Sequence, residues 1–268
     1  AKLRIVFQNR KHLLNFVALK SSKMEMLNNR KTIRKYTSKE VSEDLVRTLL
    51  EKAERTPTMG NLQLYSVVIT REAEKKAQLA PAHFNQPMVT GAPVVLTFCA
   101  DFRRTTLWAE NRKAMPGYDN FLSFLNAATD ALLYCQTFCN LAEKEGLGTC
   151  FLGTTIYNPQ SIIKTLGLPR LVMPVATITL GWPDENPPLT DRLPIDSIIH
   201  NETYNDYTPA RIDTFYTPKE QLEENKHFVE INHKETLAQV FTDLRYTKEA
   251  NEAISEVLLK TLKEQGFM

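Results

Sequence analysis

The sequence predicts a mixed α/β protein with a central sheet and helices packed outside it. Strand-type apolar runs alternate with helical patterns over most of the chain. One segment, 120–146, is a long helix pattern that is apolar over more than half its circumference. Composition is that of a globular chain of 268 residues, with 43% hydrophobic and 24% charged residues. Such a chain is long enough for a sizeable core.

The elements follow in order. Leu27–Arg30 reads as the end of a short helix. Residues 41–55 (VSEDLVRTLLEKAER) form a helix pattern that Ser42 can cap, with Val41 and Val46 as a hydrophobic staple and Leu45, Leu49, Leu50 and Ala53 as its apolar stripe. TPTMGN (56–61) breaks it. YSVVIT (65–70) reads as a strand, 72–79 as a charged helix, and APVVLTFCA (92–100) as a strand buried on both faces. Residues 101–120, with Trp108, Pro116, Gly117 and Tyr118, read as an irregular loop. The 120–146 helix is expected to be buried nearly all round, in a core or against a partner subunit. TCFLGT (149–154) reads as a short strand, NPQSIIKTLGL (158–168) as a helix with Asn158 as N-cap and Pro159 at N1, and MPVATITLGWP (173–183) as a strand. Three helix patterns, 218–228, 234–245 and 247–265, follow in a polar C-terminal region. The expected division is an N-terminal extension over 1–25, a core over 26–204 and a helical C-terminal extension over 205–268. The first segment reads as a fusion remnant or an upstream start, because Met24 or Met26 would also serve as initiator.

A net charge of +2 argues against a general nucleic-acid partner. No run of about 18 apolar residues exists, so no membrane span is expected. Cys99, Cys135, Cys139 and Cys150 all lie among apolar residues. They read as buried thiols of a reducing, cytoplasmic compartment rather than as a disulfide framework or a metal site.

The motifs of serine hydrolases, zinc proteases, P-loop and dinucleotide-binding proteins are all absent, and the five histidines are scattered. An enzyme with no evident acid, base or nucleophile needs a cofactor for its chemistry. That draws attention to NNRKTIRKY (28–36), where Arg30, Lys31 and Arg34 are candidate donors to a phosphate and Thr32 can add a hydroxyl. Taken alone, the run is more often a solvated charge cluster. Pro57, Thr58, Gly60, Asn61 and Gln63 supply amides and hydroxyls in a turn, Gln86 lies in a second polar loop, Gly153 ends a strand and Arg192 follows another.

Together these pieces resemble the nitroreductase family of FMN-dependent oxidoreductases, most of all its NADPH-dependent nitro, quinone and flavin reductases. NRKTIRKYT (29–37), TPTMGNLQLY (56–65), NQPMVTGAPVVLTFCAD (85–101), EGLGTCFLGT (145–154) and LGWPDENPPLTDRLP (180–194) match that family's motifs in order. The resemblance implies an α+β nitroreductase-like fold, with a central, mostly antiparallel mixed sheet flanked by helices and a C-terminal extension wrapping a homodimer. It implies that Arg30, Lys31, Thr32, Arg34 and Arg192 bind the phosphate and ribityl end of FMN. Thr58, Gly60, Asn61, Gln63 and Gln86 would then lie along the ribityl chain or ring, with Leu152 and Gly153 presenting backbone near N5. FMN at the dimer interface would take a hydride from NADPH or NADH and pass electrons to a nitroaromatic, quinone or flavin in a two-step, ping-pong cycle. An FMN carrier or sensor, or a relative with other flavin chemistry such as dehalogenation, is the alternative.

The chain departs from the pattern at Lys31 for Arg, Leu64-Tyr65 for Pro-Trp, Thr154 for a second Gly and Thr190 for Lys. Residues 224–235 lack the branch's Arg-rich NADPH stretch, leaving Lys226 or His227 as substitutes. The choice between NADPH and NADH stays open.

Overall fold

A computed structural model describes residues 27–268 of the chain; the expected 1–25 extension lies outside them. The chain forms two compact units. One runs to Leu189 and takes in Val257–Met268; the other is Thr190–Glu256. The expected change at 204/205 therefore falls earlier, and the last dozen residues return to the first unit.

The first unit is α+β. Four strands, β1 (Tyr65–Thr70), β2 (Val94–Asp101), β3 (Gly148–Leu152) and β4 (Val172–Gly181), form one sheet in the order β1-β2-β4-β3. Every pairing between them is antiparallel, so the mixed character expected of the sheet is not found among the described residues. β2 and β4 are the inner strands, and both are buried along their whole length. That is why their sequences read as unbroken apolar runs rather than as alternating ones.

Helix α1 (Glu43–Ala53) is capped by Ser42, whose hydroxyl accepts the Leu45 N–H at 3.2 Å, and the Val41–Val46 staple is buried. α2 (Ala73–Leu79) and α3 (Pro87–Gly91) precede β2. The expected loop at 101–120 begins instead with helix α4 (Arg103–Asn111). The Asp101 carboxylate accepts the Arg104 N–H at 3.3 Å, and Thr105 with Ala109 makes a narrow buried stripe. Neither signal is apolar enough to stand out in the sequence.

α5 (Phe121–Lys144) starts at Asn120, whose side chain accepts the Ser123 N–H at 3.0 Å. Its Ala127, Ala131, Cys135, Phe138 and Ala142 are buried in the main core with the sheet. It is not buried all round: Phe121, Leu122, Leu125, Leu132 and Leu133 are between 42% and 67% exposed. α6 (Pro159–Leu166) has Asn158 at the N-cap position, but that side chain donates to the Ala82 carbonyl instead of capping. All four cysteines are free and buried.

The second unit holds α7 (Pro209–Glu220) and α8 (Glu223–Ile231). The helix expected over 218–228 is therefore interrupted, with Leu222 in extended backbone. The 234–245 pattern opens with a capping box at Thr236 and Gln239 on the short α9 (Leu237–Gln239), then widens to a π-helical turn, Val240–Arg245. α10 (Lys248–Glu264) follows as expected. No helix among the described residues is long and apolar enough to cross a membrane.

Candidate functional site

The basic segment is seated on two glycines. Gly148 and Gly181 face each other where β3 meets β4. Ile33 packs on the first so closely that a Cβ there would lie 2.6 Å from the Ile33 Cβ. Tyr36 packs on the second, where a Cβ would meet its ring and Pro93 at 2.7 Å. The backbone is held as well: Ile33 N–H donates to the Thr149 carbonyl at 3.0 Å, Thr37 N–H to Trp182 at 2.9 Å, and Asp184 N–H to Lys35 at 3.0 Å. The Tyr36 hydroxyl donates to the Ile33 carbonyl at 2.6 Å and shares a 2.6 Å hydrogen bond with the Thr179 hydroxyl. With Ile33 in the core and its neighbours outside, the segment presents Arg30, Lys31, Thr32 and Arg34 beside the start of β3.

Two acids that the local sequence does not contain are brought to it. Arg30 Nε lies 3.3 Å from Glu143 at the end of α5, which also accepts the Thr149 hydroxyl at 2.8 Å. Burial pushes the Glu143 carboxyl up, and Thr149 and Arg30 pull it back. Glu185 accepts the backbone N–H groups of Arg34 and Lys35, which hold its carboxyl below the usual range. Lys31 Nζ donates to Asn186 at 2.7 Å. Arg30 and Arg34 both act on the buried Cys150 thiol, pulling it down against a larger upward push from burial. Through Glu143 and Thr149 the Arg30 guanidinium is tied to the start of β3.

The turn that carries Thr58, Gly60, Asn61 and Gln63 is tightly wound. Gly60, Asn61 and Gln63 have φ of 56°, 55° and 49°, and such left-handed backbone is costly for the non-glycine pair. Asp130, 2% exposed on α5, holds it by accepting the N–H of Met59 at 2.9 Å and of Leu64 at 3.2 Å. Arg104 donates to the carbonyls of Gln63 and Tyr65 from the other side. Asp130 was legible only as an acid in the most hydrophobic helix of the chain. It stands thirteen residues before Glu143 on the same helix. At 1.5 Å per residue, the two acids that hold this turn and the basic segment stand about 20 Å apart along the helix.

Gln86 precedes α3, after Phe84 and Asn85, both at φ 53°. Leu152 has its side chain in the core, so only its backbone is offered. Gly153 opens a 3-10 turn, Gly153–Ile156, and is exposed. A Cβ there would meet nothing within 4 Å. The loops of Gln86 and Gly153 are linked by His83, whose Nδ1 is 2.8 Å from the Thr154 hydroxyl. Burial lowers the His83 pKa to about 4. Neither His83 nor Thr154 was singled out by sequence as a pair. Arg192 belongs to the second unit, where its guanidinium donates to the Thr190 hydroxyl at 2.8 Å and the Asp191 carbonyl at 2.7 Å.

The first unit thus has a cationic group at the start of β3 and an open glycine past its end. Five residues of strand separate them by about 15 Å. Cavities of about 500, 610 and 680 Å³ open elsewhere on this unit and are lined by none of these residues. The arrangement suits an elongated ligand with an anionic end, laid over a surface rather than sunk in a pocket.

Comparison with known proteins finds similar chains. A solved structure from Bacteroides fragilis NCTC 9343 is 61% identical, with a TM-score of 0.90 over 91% of this chain and 99% of that one. The FMN reductase [NAD(P)H] of Bacillus subtilis (strain 168) is 32% identical over 68% of this chain and 74% of its own length. The oxygen-insensitive NADPH nitroreductase of Salmonella typhimurium (strain LT2) is 29% identical over 69% and 75%. The Nitroreductase family profile matches residues 27–182, more than half of the chain, and this protein belongs to the nitroreductase family.

Proposed function

We propose that this protein is an FMN-dependent oxidoreductase that takes reducing equivalents from NADPH or NADH and delivers them to a nitroaromatic, quinone or flavin in a two-step, ping-pong cycle. The observation that carries the reading is the pairing of the Arg30–Lys31–Arg34 cluster with the open Gly153 at opposite ends of β3. The residues present fit FMN: charge-assisted donors for a phosphate at one end, and bare backbone for a flat ring at the other. When bound, FMN supplies hydride acceptance and donation at N5. The chain supplies the rest. Arg30, Lys31 and Arg34 fix the phosphate, with Thr32 joining them. Gln86, Leu152 and Gly153 orient the ring by hydrogen bonds from side chain and backbone.

A homodimer with its sites at the interface is part of the same proposal. The exposed Leu122, Leu125, Leu132 and Leu133 form an apolar face on α5 that a second copy would cover. Asp130 and Glu143, which hold the Thr58–Gln63 turn and the basic segment, stand about 20 Å apart along α5, which favours a turn that serves the partner's cofactor. The second unit, with few buried side chains, suits a cover over the partner subunit. Buried free thiols suit a cytoplasmic setting. The test is direct. The protein reconstituted with FMN should bleach with NADPH or NADH under anaerobic conditions and regain colour when a quinone or nitroaromatic is added. A protein that stays yellow with both nicotinamides would overturn the proposal.

A further inference from the structure

His83 and Thr154 make a contact that the rest of the proposed site does not use. The imidazole is fully buried, in a turn (Ala80–His83) three residues before Gln86. Thr154 directly follows Gly153. Their 2.8 Å hydrogen bond therefore joins the loop of Gln86 to the loop of Gly153, two segments 71 residues apart in sequence. A second strap runs parallel to it: Asn158 Nδ2 donates to the Ala82 carbonyl at 3.2 Å. The Phe84 and Tyr157 rings meet edge-on beside it, with centroids 6.4 Å apart. Beneath both loops, Leu79, Ala80, Ala82, Val89, Cys150, Leu152 and Ile162 form a small apolar cluster of their own. The other ring nitrogen of His83 is buried with no hydrogen-bond partner among the described residues, so Thr154 is the polar anchor of the imidazole. Thr154 is also where the chain departs from the glycine of the motif that EGLGTCFLGT matches. A glycine there offers no hydroxyl, so the strap belongs to this chain's own residues.

We infer that His83 and Thr154 are a positioning pair that locks the Gln86 and Gly153 loops into one rigid surface for the flavin ring. The inference rests on the proposal that FMN lies along β3. Neither residue is a catalytic residue. A surface ordered before binding spares the ligand the cost of ordering it. Breaking one net hydrogen bond should therefore appear in affinity and in the electronic environment of the ring, more than in the fold.

The experiment compares FMN and riboflavin binding, the visible spectrum of bound FMN and the flavin midpoint potential in Thr154→Val and Thr154→Ser. Thr154→Val keeps the shape and removes the hydroxyl. It should weaken FMN and riboflavin alike by roughly three- to tenfold, with a changed spectrum and a shifted potential. Thr154→Ser restores the hydroxyl and should behave as the parent protein. If Thr154→Val does not fold, Thr154→Gly serves in its place, with the same expectation. Unchanged affinity, spectrum and potential in the hydroxyl-free variant would overturn the inference, as would a Thr154→Ser variant as impaired as Thr154→Val. Parent protein that takes up no FMN would instead strike at the proposed function itself, so the two failures are distinguishable.

Discussion

The two ends of β3 use glycine for different reasons. At its start, Gly148 and its neighbour Gly181 are demanded by the chain: Ile33 and Tyr36 occupy the space a side chain would fill. At its far end, Gly153 faces open space and nothing in the subunit requires it. One pair of glycines builds the platform that holds the cations. The other glycine is open to its surroundings, and the proposed reading lays the flavin ring there. A motif glycine is thus structural or functional according to what its missing Cβ would touch, and the sequence does not distinguish the two.

The comparison breaks most visibly at the packed end. Gly148→Ala and Gly181→Ala force an ordinary Cβ into contacts of 2.6–2.7 Å, and in Gly148→Ala the obstacle is another Cβ, which cannot rotate away. Each should lose about 1–3 kcal/mol of stability, seen as a lower midpoint in denaturant unfolding. A variant as stable as the parent would mean that the segment is not seated as described. Arg34→Ala comes next. It should weaken FMN by tenfold or more, because a charge-assisted hydrogen bond is worth about 1.5–3 kcal/mol. The exposed side chain means that unfolding should barely change. Gly153→Ala should be the mirror image of Gly148→Ala: stability within about 0.5 kcal/mol of the parent, but FMN affinity reduced several-fold. If Gly153→Ala unfolds more easily and binds FMN normally, the contrast between the two ends collapses.

The smallest effect concerns pH. Glu185 has its carboxyl held below the ordinary range by the amides of Arg34 and Lys35. A group with a depressed folded-state pKa stabilises the fold above its unfolded value, and that contribution drains away as pH falls through the folded value. Glu185→Gln should therefore be slightly less stable than the parent at neutral pH and show a flatter acid limb, the two converging as pH falls below the ordinary carboxylate range. An unaltered acid limb would show that the contact contributes nothing in solution.

Much of the fold was legible because it is local. The β1 and β2 runs, the Ser42 cap and the Val41–Val46 staple are each written within a few residues. What escaped depends on distant partners. α4 is started by Asp101 and has only a thin apolar stripe. The break at Leu222 and the π-helical turn at Val240–Arg245 interrupt patterns that look continuous by periodicity. Glu143 and Glu185 reach the basic segment from more than a hundred residues away, and Asp130 reaches its turn from about seventy. The outward face of α5 is apolar although exposed, and the proposed dimer would cover it.

The central claim is directional: phosphate at the Arg30–Arg34 end of β3, ring at the Gly153 end. Riboflavin lacks the phosphate and keeps the ring, so the most direct measurement is the pair of dissociation constants for FMN and riboflavin in the parent, Arg34→Ala and Gly153→Ala proteins. The account predicts that Arg34→Ala loses FMN affinity and keeps riboflavin affinity, while Gly153→Ala loses both by the same factor. Equal losses of both ligands in Arg34→Ala, or a loss confined to FMN in Gly153→Ala, would contradict it.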